Sequence, residues 1–430
     1  MLRAVTLSAV AFAAACYRDP SLASCKYRCG GATNQSCPNG FDCLSGFCVT
    51  NGDTCTGDGG VIDGAVAEDA ALADAPLDTP SCAAITFNTV ALAVGATPRS
   101  LVAFDVDGNT FPDLVVVDGT ATSNAAGVFL NMNGSGFDSR MALSNTSGAV
   151  TVARADVDDD GARDDVFILR GYMPGTGVVH STNSGGGGFA TVPWSVSGTE
   201  DPGDFAVEDV DGDGDEEYGV RYVGSSSIKF LDHQETGFAV GPTFPVDSSP
   251  TTFTLAKINS GTTMDVAVVY KAADKFMFYS GTGPFAFASG VDQAVGDGPV
   301  DIAVGQLLSG GGRSVVTANS LGDSVSIRHN TGTASFSSGG DPATGDEPVA
   351  VILADMNNDL LIDIVTANRS GSTISILLNQ GSGFAAHQEF IAGSVPIDLV
   401  AADFNKDGRM DVAVADAASD TVSIMFQGCM

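Results

Sequence analysis

Basic residues are scarce in this chain. Its 430 residues include 19 lysines and arginines against 52 aspartates and glutamates, a formal charge of −33. A nucleic-acid partner is not expected, because phosphates would be repelled. Aromatic side chains make up only 7% of the residues, while 53 glycines interrupt short runs of Val, Ala, Leu and Ile. That mixture suits many short strands and turns rather than long helices. Neither HExxH nor GxSxG occurs, and the four histidines (His180, His233, His329 and His387) are scattered. The expectation is a non-catalytic protein.

Long apolar runs are also missing. Arg3 precedes an apolar stretch, Ala4 to Ala15, that is too short to span a bilayer and sized for a signal peptide. Residues 1–15 are read as that signal, followed by Cys16. The chain has nine cysteines, an awkward number for an exported protein; with Cys16 as a lipid attachment point, eight remain to pair. Ala13 stands where a lipoprotein box usually has leucine. The expected location is a bacterial outer membrane or cell surface, reached through the lipid anchor alone; ordinary cleavage would give a secreted protein. Residues 16–56 hold six further cysteines, from Cys25 to Cys55, and are read as a small disulfide-rich module. Residues 57–81 are acidic and rich in Gly, Ala and Pro, as expected of a disordered linker.

From residue 82 a block recurs. Its clearest copy is Asp403-Phe-Asn405-Lys-Asp407-Gly408-Arg-Met-Asp411, with oxygen donors at positions 1, 3, 5 and 9 and glycine at 6. Hard oxygens so spaced suit Ca²⁺. Position 1 falls at Asp105, Asp156, Asp209, Lys257, Gln306, Asp355 and Asp403, at intervals of 51, 53, 48, 49, 49 and 48. Seven near-equal units imply a propeller or a solenoid. Proline stands seven residues before position 1 in six of them: Pro98, Pro202, Pro250, Pro299, Pro348 and Pro396. Each unit reads as four antiparallel strands, with a Gly-rich hairpin carrying phenylalanine, as at Gly136-Phe137 and Gly383-Phe384. The last unit stops after three strands, and the stretch from Ala84 to Val94 resembles a fourth strand without a unit of its own. Joining the two closes a ring, with Cys82 and Cys429 placed for a disulfide across the closure. The expected fold is all-β: a seven-bladed β-propeller of four-stranded blades over 82–430, preceded by the small module.

These blocks resemble the FG-GAP and VCBS-type repeats of integrin α-chain-like propellers. The resemblance implies five calcium loops and so about five Ca²⁺ ions. The implied ligand sets are Asp105, Asp107, Asn109 and Asp113; Asp156, Asp158, Asp160 and Asp164; Asp209, Asp211, Asp213 and Glu217; Asp355, Asn357, Asp359 and Asp363; and Asp403, Asn405, Asp407 and Asp411. Thr110 and Leu360 replace the position-6 glycine, so those turns should carry backbone strain. The fourth and fifth units retain no cage; Lys257 could pair with Asp265 there. An EF-hand is excluded, since position 12 holds Val116, Phe167, Val220, Thr366 and Val414 rather than glutamate. Asp and Asn also cap turns, but five loops with four aligned donors favour the cage.

In related propellers, ligands meet the face opposite the calcium loops. The thirteenth residue after each loop start, namely Asp118, Leu169, Tyr222, Tyr270, Asn319, Asn368 and Asp416, would ring that face. The resulting expectation is a monomeric recognition scaffold for a protein or glycan. A calcium-dependent lectin is the alternative, and an exported hydrolase a third.

Overall fold

The computed structural model describes residues 27–28, 41–44, 47–50, 82, 84–119, 124–157, 162–171, 177–183, 188–194, 202–234, 237–308 and 312–429. Two compact units, Met1–Val61 and Ile62–Met430, divide the chain. In the first, strands Tyr27–Arg28, Phe47–Thr50 and Phe41–Leu44 form an antiparallel sheet in that spatial order, with Cys43 opposite Cys48. The signal segment, Cys16 and the acidic linker lie outside the described residues.

The second unit is the expected propeller. Seven four-stranded antiparallel sheets follow one another, six of them built from consecutive stretches of chain. Blade 1 comprises Pro98–Phe104, Asp113–Asp118, Ala126–Phe129 and Met141–Leu143. In blade 7, Pro396–Ala402, Asp411–Asp416 and Thr421–Cys429 are completed by Ile85–Ala93 from the start of the unit. This last pairing runs nine residues in register, from Thr421 opposite Ala93 to Cys429 opposite Ile85. Cys82 and Cys429 form a disulfide there, with Cα atoms 5.4 Å apart. An open solenoid would keep these termini apart.

Each first strand begins at its proline in blades 1, 3, 5, 6 and 7, where the missing N–H costs no ladder bond. A bulge follows immediately, as between Pro98 and Ser100. Second strands are buried on both faces, with every residue from Asp113 to Asp118 and from Asp411 to Asp416 inaccessible. Fourth strands carry exposed residues, as in Val291–Ala294 of blade 4. The core is divided to match: one apolar cluster fills each of the seven seams between neighbouring blades. First strands line an axial channel of about 190 Å³.

Candidate metal loops

The loops join first to second strands, so all of them lie at one rim. In the loops of blades 1, 3, 6 and 7, the acids and amides cap the turn itself. At position 1, Asp403 Oδ1 and Oδ2 accept from the N–H groups of Asp407 (3.1 Å) and Gly408 (2.8 Å). Asn405 Oδ1 at position 3 accepts from Asp407 N (2.9 Å), and Asp407 Oδ1 at position 5 from Arg409 N (3.0 Å). Asp355, Asn357 and Asp359 repeat the pattern in blade 6. In blade 1 it recurs at Asp105, Asp107 and Asn109, in blade 3 at Asp209, Asp211 and Asp213. The residues replacing glycine at position 6 take the expected left-handed backbone, at φ 74° for Thr110 and 69° for Leu360.

Position 9 has a role the sequence did not reveal. Its carboxylate reaches inward and clamps backbone from two directions. Asp113 Oδ2 accepts from Val106 N (2.7 Å) and its Oδ1 from Asn131 N at the end of the third strand (2.5 Å). Asp363 does the same with Met356 and Asn379, and Asp411 with Phe404 and Gln427. Blade 4 has no cage, yet Asp265 makes the same clamp with Ile258 and Gly281. Lys257 is exposed and, among the described residues, forms no ion pair with Asp265. In blade 5, Ser314 replaces the carboxylate, and its hydroxyl meets His329 Nδ1 at 2.8 Å.

Blade 2 differs at position 9. Asp165, not Asp164, holds the clamp, accepting from Val157 N (2.8 Å) and Asn183 N (2.5 Å). That loop is one residue longer than the others, which moves the equivalent carboxylate along by one. Asp164 instead accepts from Asn183 Nδ2 at 3.2 Å. Asp158 and Asp160 lie outside the described residues.

Among the described residues, two loops gather three carboxylates each, with ligand atoms within 4.8 Å of one another: Asp105, Asp107 and Asp113, and Asp209, Asp211 and Glu217. Glu217 differs from the clamp aspartates. Its Oε2 accepts from Val210 N (2.8 Å) and Asp211 N (3.3 Å), while Oε1 is buried without a hydrogen-bond partner. The additional methylene reaches further into the loop, so one oxygen is left for something else. Burial pushes this carboxyl up to about 8, the Val210 N–H opposes that, and repulsion from Asp211 and Asp213 adds to it. Burial likewise raises Asp363 and Asp411 to about 8 and Asp113 to about 6.

A second feature missed in the sequence is the amide at the end of the third strand. Asn131 Nδ2 donates to Phe404 O of the preceding blade (2.8 Å) and to Pro112 O (3.0 Å). Asn183 reaches Val106 O, Asn379 reaches Leu307 O, and Gln427 reaches Met356 O. In every case the acceptor is position 2 of the neighbouring loop, so the amides staple the loop rim together. The recurring Asn in Asn131-Met-Asn-Gly, Asn183-Ser-Gly and Asn379-Gln-Gly was the available signal.

At the opposite face, the thirteenth-residue ring is buried. Asn319 and Asn368 are fully buried and bonded to Ser324 and Ser326, and to Thr373 and Ser375. Asp416 accepts from Ser423 Oγ (2.6 Å), and Asp118 from Arg140 (3.0 Å). Five of these positions pair with the blade's proline, as Asn319 does with Pro299, which turns the side chains into the sheet stack.

Residues 355–414, spanning the loops of blades 6 and 7, match the FG-GAP-like repeat. Among curated proteins no sequence matches the chain. Among solved structures, BBS1N in complex with ARL6DN, soaked with lead, is similar at a TM-score of 0.53 and 12% identity, over 80% of this chain and 96% of that one. The periplasmic gluconolactonase of Pseudomonas aeruginosa is similar at a TM-score of 0.53 and 13% identity, over 72% of this chain and 97% of that one. At such identities the likeness shows the fold alone.

Proposed function

We propose that this FG-GAP-repeat propeller is a calcium-braced, non-catalytic recognition scaffold, exported and lipid-anchored through Cys16. The observation that carries the metal reading is Glu217, whose buried Oε1 has no partner beside Asp209 and Asp211. A carboxylate oxygen left dry and unpaired is costly, and a hard divalent cation satisfies it. Asp209, Asp211, Asp213 and Glu217 would hold one ion, and Asp105, Asp107, Asn109 and Asp113 another. The sets at Asp355–Asp363 and Asp403–Asp411 use an asparagine at position 3 and follow the same loop geometry. Calcium supplies positive charge that offsets the repulsion among these acids. The position-9 aspartates already serve the backbone, so their contribution to an ion comes from remaining lone pairs.

Export is supported by the Cys82–Cys429 disulfide, since such bonds persist in oxidising compartments. Recognition would use exposed side chains outside the buried thirteenth-residue ring; Val223 and Leu321, at 59% and 68% exposure, stand in turns at that face. Calorimetric titration with Ca²⁺, with elemental analysis before and after EDTA, tests the metal reading. Binding in the range of about 10⁻⁴–10⁻³ M is expected, and a protein that takes up no calcium would overturn it. A glycan array separates the lectin alternative from protein recognition, and mass spectrometry of the mature N-terminus tests acylation at Cys16.

A further inference from the structure

Blade 3 departs from the other loops around its position-9 carboxylate. In blades 1, 6 and 7 the aspartate there gives one oxygen to its own loop and the other to the third strand, as Asp411 does with Phe404 N (3.1 Å) and Gln427 N (2.7 Å). Glu217 makes only the first half of that clamp. Its Oε2 takes Val210 N and Asp211 N, and Oε1 is left buried and unpartnered beside Asp209 and Asp211. The whole residue is inaccessible to solvent.

The third strand of blade 3 brings a further acid to this place. Tyr218 lies opposite Leu231, so Asp232, the next residue of Ser227–Gln234, comes opposite Glu217 and shares its face of the sheet. Cβ atoms so opposed are about 4.5–5.5 Å apart. The equivalent residues are Leu130 in blade 1, Leu378 in blade 6 and Phe426 in blade 7, each packed against an apolar cluster. Asp232 keeps partial exposure, and its repulsion reaches Asp211. The intervening acid Glu216 is occupied elsewhere: it accepts from Asp156 N (2.8 Å) and pairs with Arg163 of blade 2.

The backbone of this loop is also free of strained side chains. Positions 4 and 6 take the left-handed conformation, at φ 85° for Gly212 and 106° for Gly214, and both are glycine. Blade 6 places Asn358 and Leu360 there, at 57° and 69°, and blade 7 places Lys406 at position 4, at 56°. A loop with glycine at both positions costs less to hold in its turn.

Resting on the calcium reading, we propose that Asp232 completes the blade 3 cage as a fifth acidic ligand beside Asp209, Asp211, Asp213 and Glu217, and that this loop takes its ion before those of blades 1, 6 and 7. Calcium accepts about six to eight oxygens, and the charge count of its ligands tunes affinity. Blades 1, 6 and 7 each offer three carboxylates and one asparagine, and both oxygens of their position-9 aspartate already serve the backbone. Blade 3 offers five carboxylates and a dry oxygen.

The test is calorimetric Ca²⁺ titration of the calcium-depleted full chain, comparing wild type with Asp232→Asn, Asp359→Asn and Asp407→Asn. Asp232→Asn should weaken one binding step by about tenfold or more. In wild type that step should fall at lower calcium than the steps altered by Asp359→Asn and Asp407→Asn. The melting temperature of Asp232→Asn in excess EDTA should not fall, because the ion-free cage loses a repelling charge. A titration curve unmoved by Asp232→Asn overturns the proposal, as does a step that falls at the same calcium as the other two or higher; both leave the calcium reading standing. An Asp232→Asn chain that melts lower in EDTA assigns the residue a structural role and overturns the proposal as well. A wild-type chain that takes up no calcium overturns both the proposal and the reading beneath it.

Discussion

Lys406 Nζ donates to Thr110 Oγ1 at 2.6 Å, joining residues 296 apart in sequence across the seam that closes the ring. The same ammonium sits 5.0 Å from the centre of the Phe111 ring. Lys406 is position 4 of the blade 7 loop and Thr110 position 6 of the blade 1 loop. One blade back, Asn358 Nδ2 at position 4 donates to Gly408 O at position 6 (2.6 Å). Loops 6, 7 and 1 are thus chained, and the chain stops at Gly108, which has no side chain to pass on. Lys406→Ala should cost about 0.5–1 kcal/mol in urea unfolding, as expected for an exposed cation–π contact and hydrogen bond. If the loops hold calcium, it should also weaken two sites together in a calorimetric titration, not one.

Glu217→Gln keeps the bond that Oε2 makes to the loop backbone and removes the charge from the loop interior. Bound calcium, counted by elemental analysis, should fall by one ion per chain. The melting temperature in excess EDTA should not fall, because the apo loop loses an uncompensated buried carboxylate.

The Asn379 amide donates to Leu307 O (3.0 Å) and Ile362 O (3.1 Å), both buried. Asn379→Ala leaves two carbonyls without that donor and opens a small void. A loss of about 2–4 kcal/mol is expected, measured by denaturant unfolding. A loss below 0.5 kcal/mol, on the scale of ordinary surface substitutions, would mean that the staple is not structural.

Leu360 is 67% exposed and held at φ 69°. Its side chain contributes little packing while the backbone carries left-handed strain. Leu360→Gly should leave stability unchanged or raise it by up to about 1 kcal/mol, the balance of relieved strain against glycine's extra unfolded-state freedom. Elsewhere in an exposed strand or loop, the same change would be expected to destabilise.

Replacing Cys82 and Cys429 together by serine removes the covalent closure of a loop with sequence separation 347. The chain-entropy account places the cost at no more than about 5–6 kcal/mol. Hydrogen exchange should quicken first in 85–93 and 421–429, the strands that zip the ring shut, while blades 4 to 6 hold their protection. Uniform quickening would instead assign the disulfide a global role.

Much of this architecture is legible in the sequence. The spacing of the seven loop starts from Asp105 to Asp403, with a proline seven residues ahead of six of them, carries the blade count, because a repeating unit must meet the same neighbours each time. The orphan strand before Pro98 and the truncated last unit carry the closure. The site was less legible. Asp113 and its counterparts read as metal ligands, but the spacing gave no sign that their oxygens also clamp N–H groups 16 to 18 residues on. Asp165 could not be told from Asp164 by counting alone. The thirteenth-residue ring looked open to solvent, but its pairing with the bulged prolines turns it inward.

The sequence by itself determined the repeat, its register, the acidic loops and the cysteine pair at the seam, since all of these are periodic or terminal features that survive projection onto one dimension. Only the tertiary structure decided which carboxylate oxygen faces backbone, which is buried without a partner, and which three aspartates (Asp204, Asp301 and Asp398) line the axial channel. The reason is physical: Asn131 finds Phe404, and Asp398 finds Leu101, across 273 and 297 residues. A polar atom's partner is set by the blade beside it, and that neighbour exists only once the ring has closed.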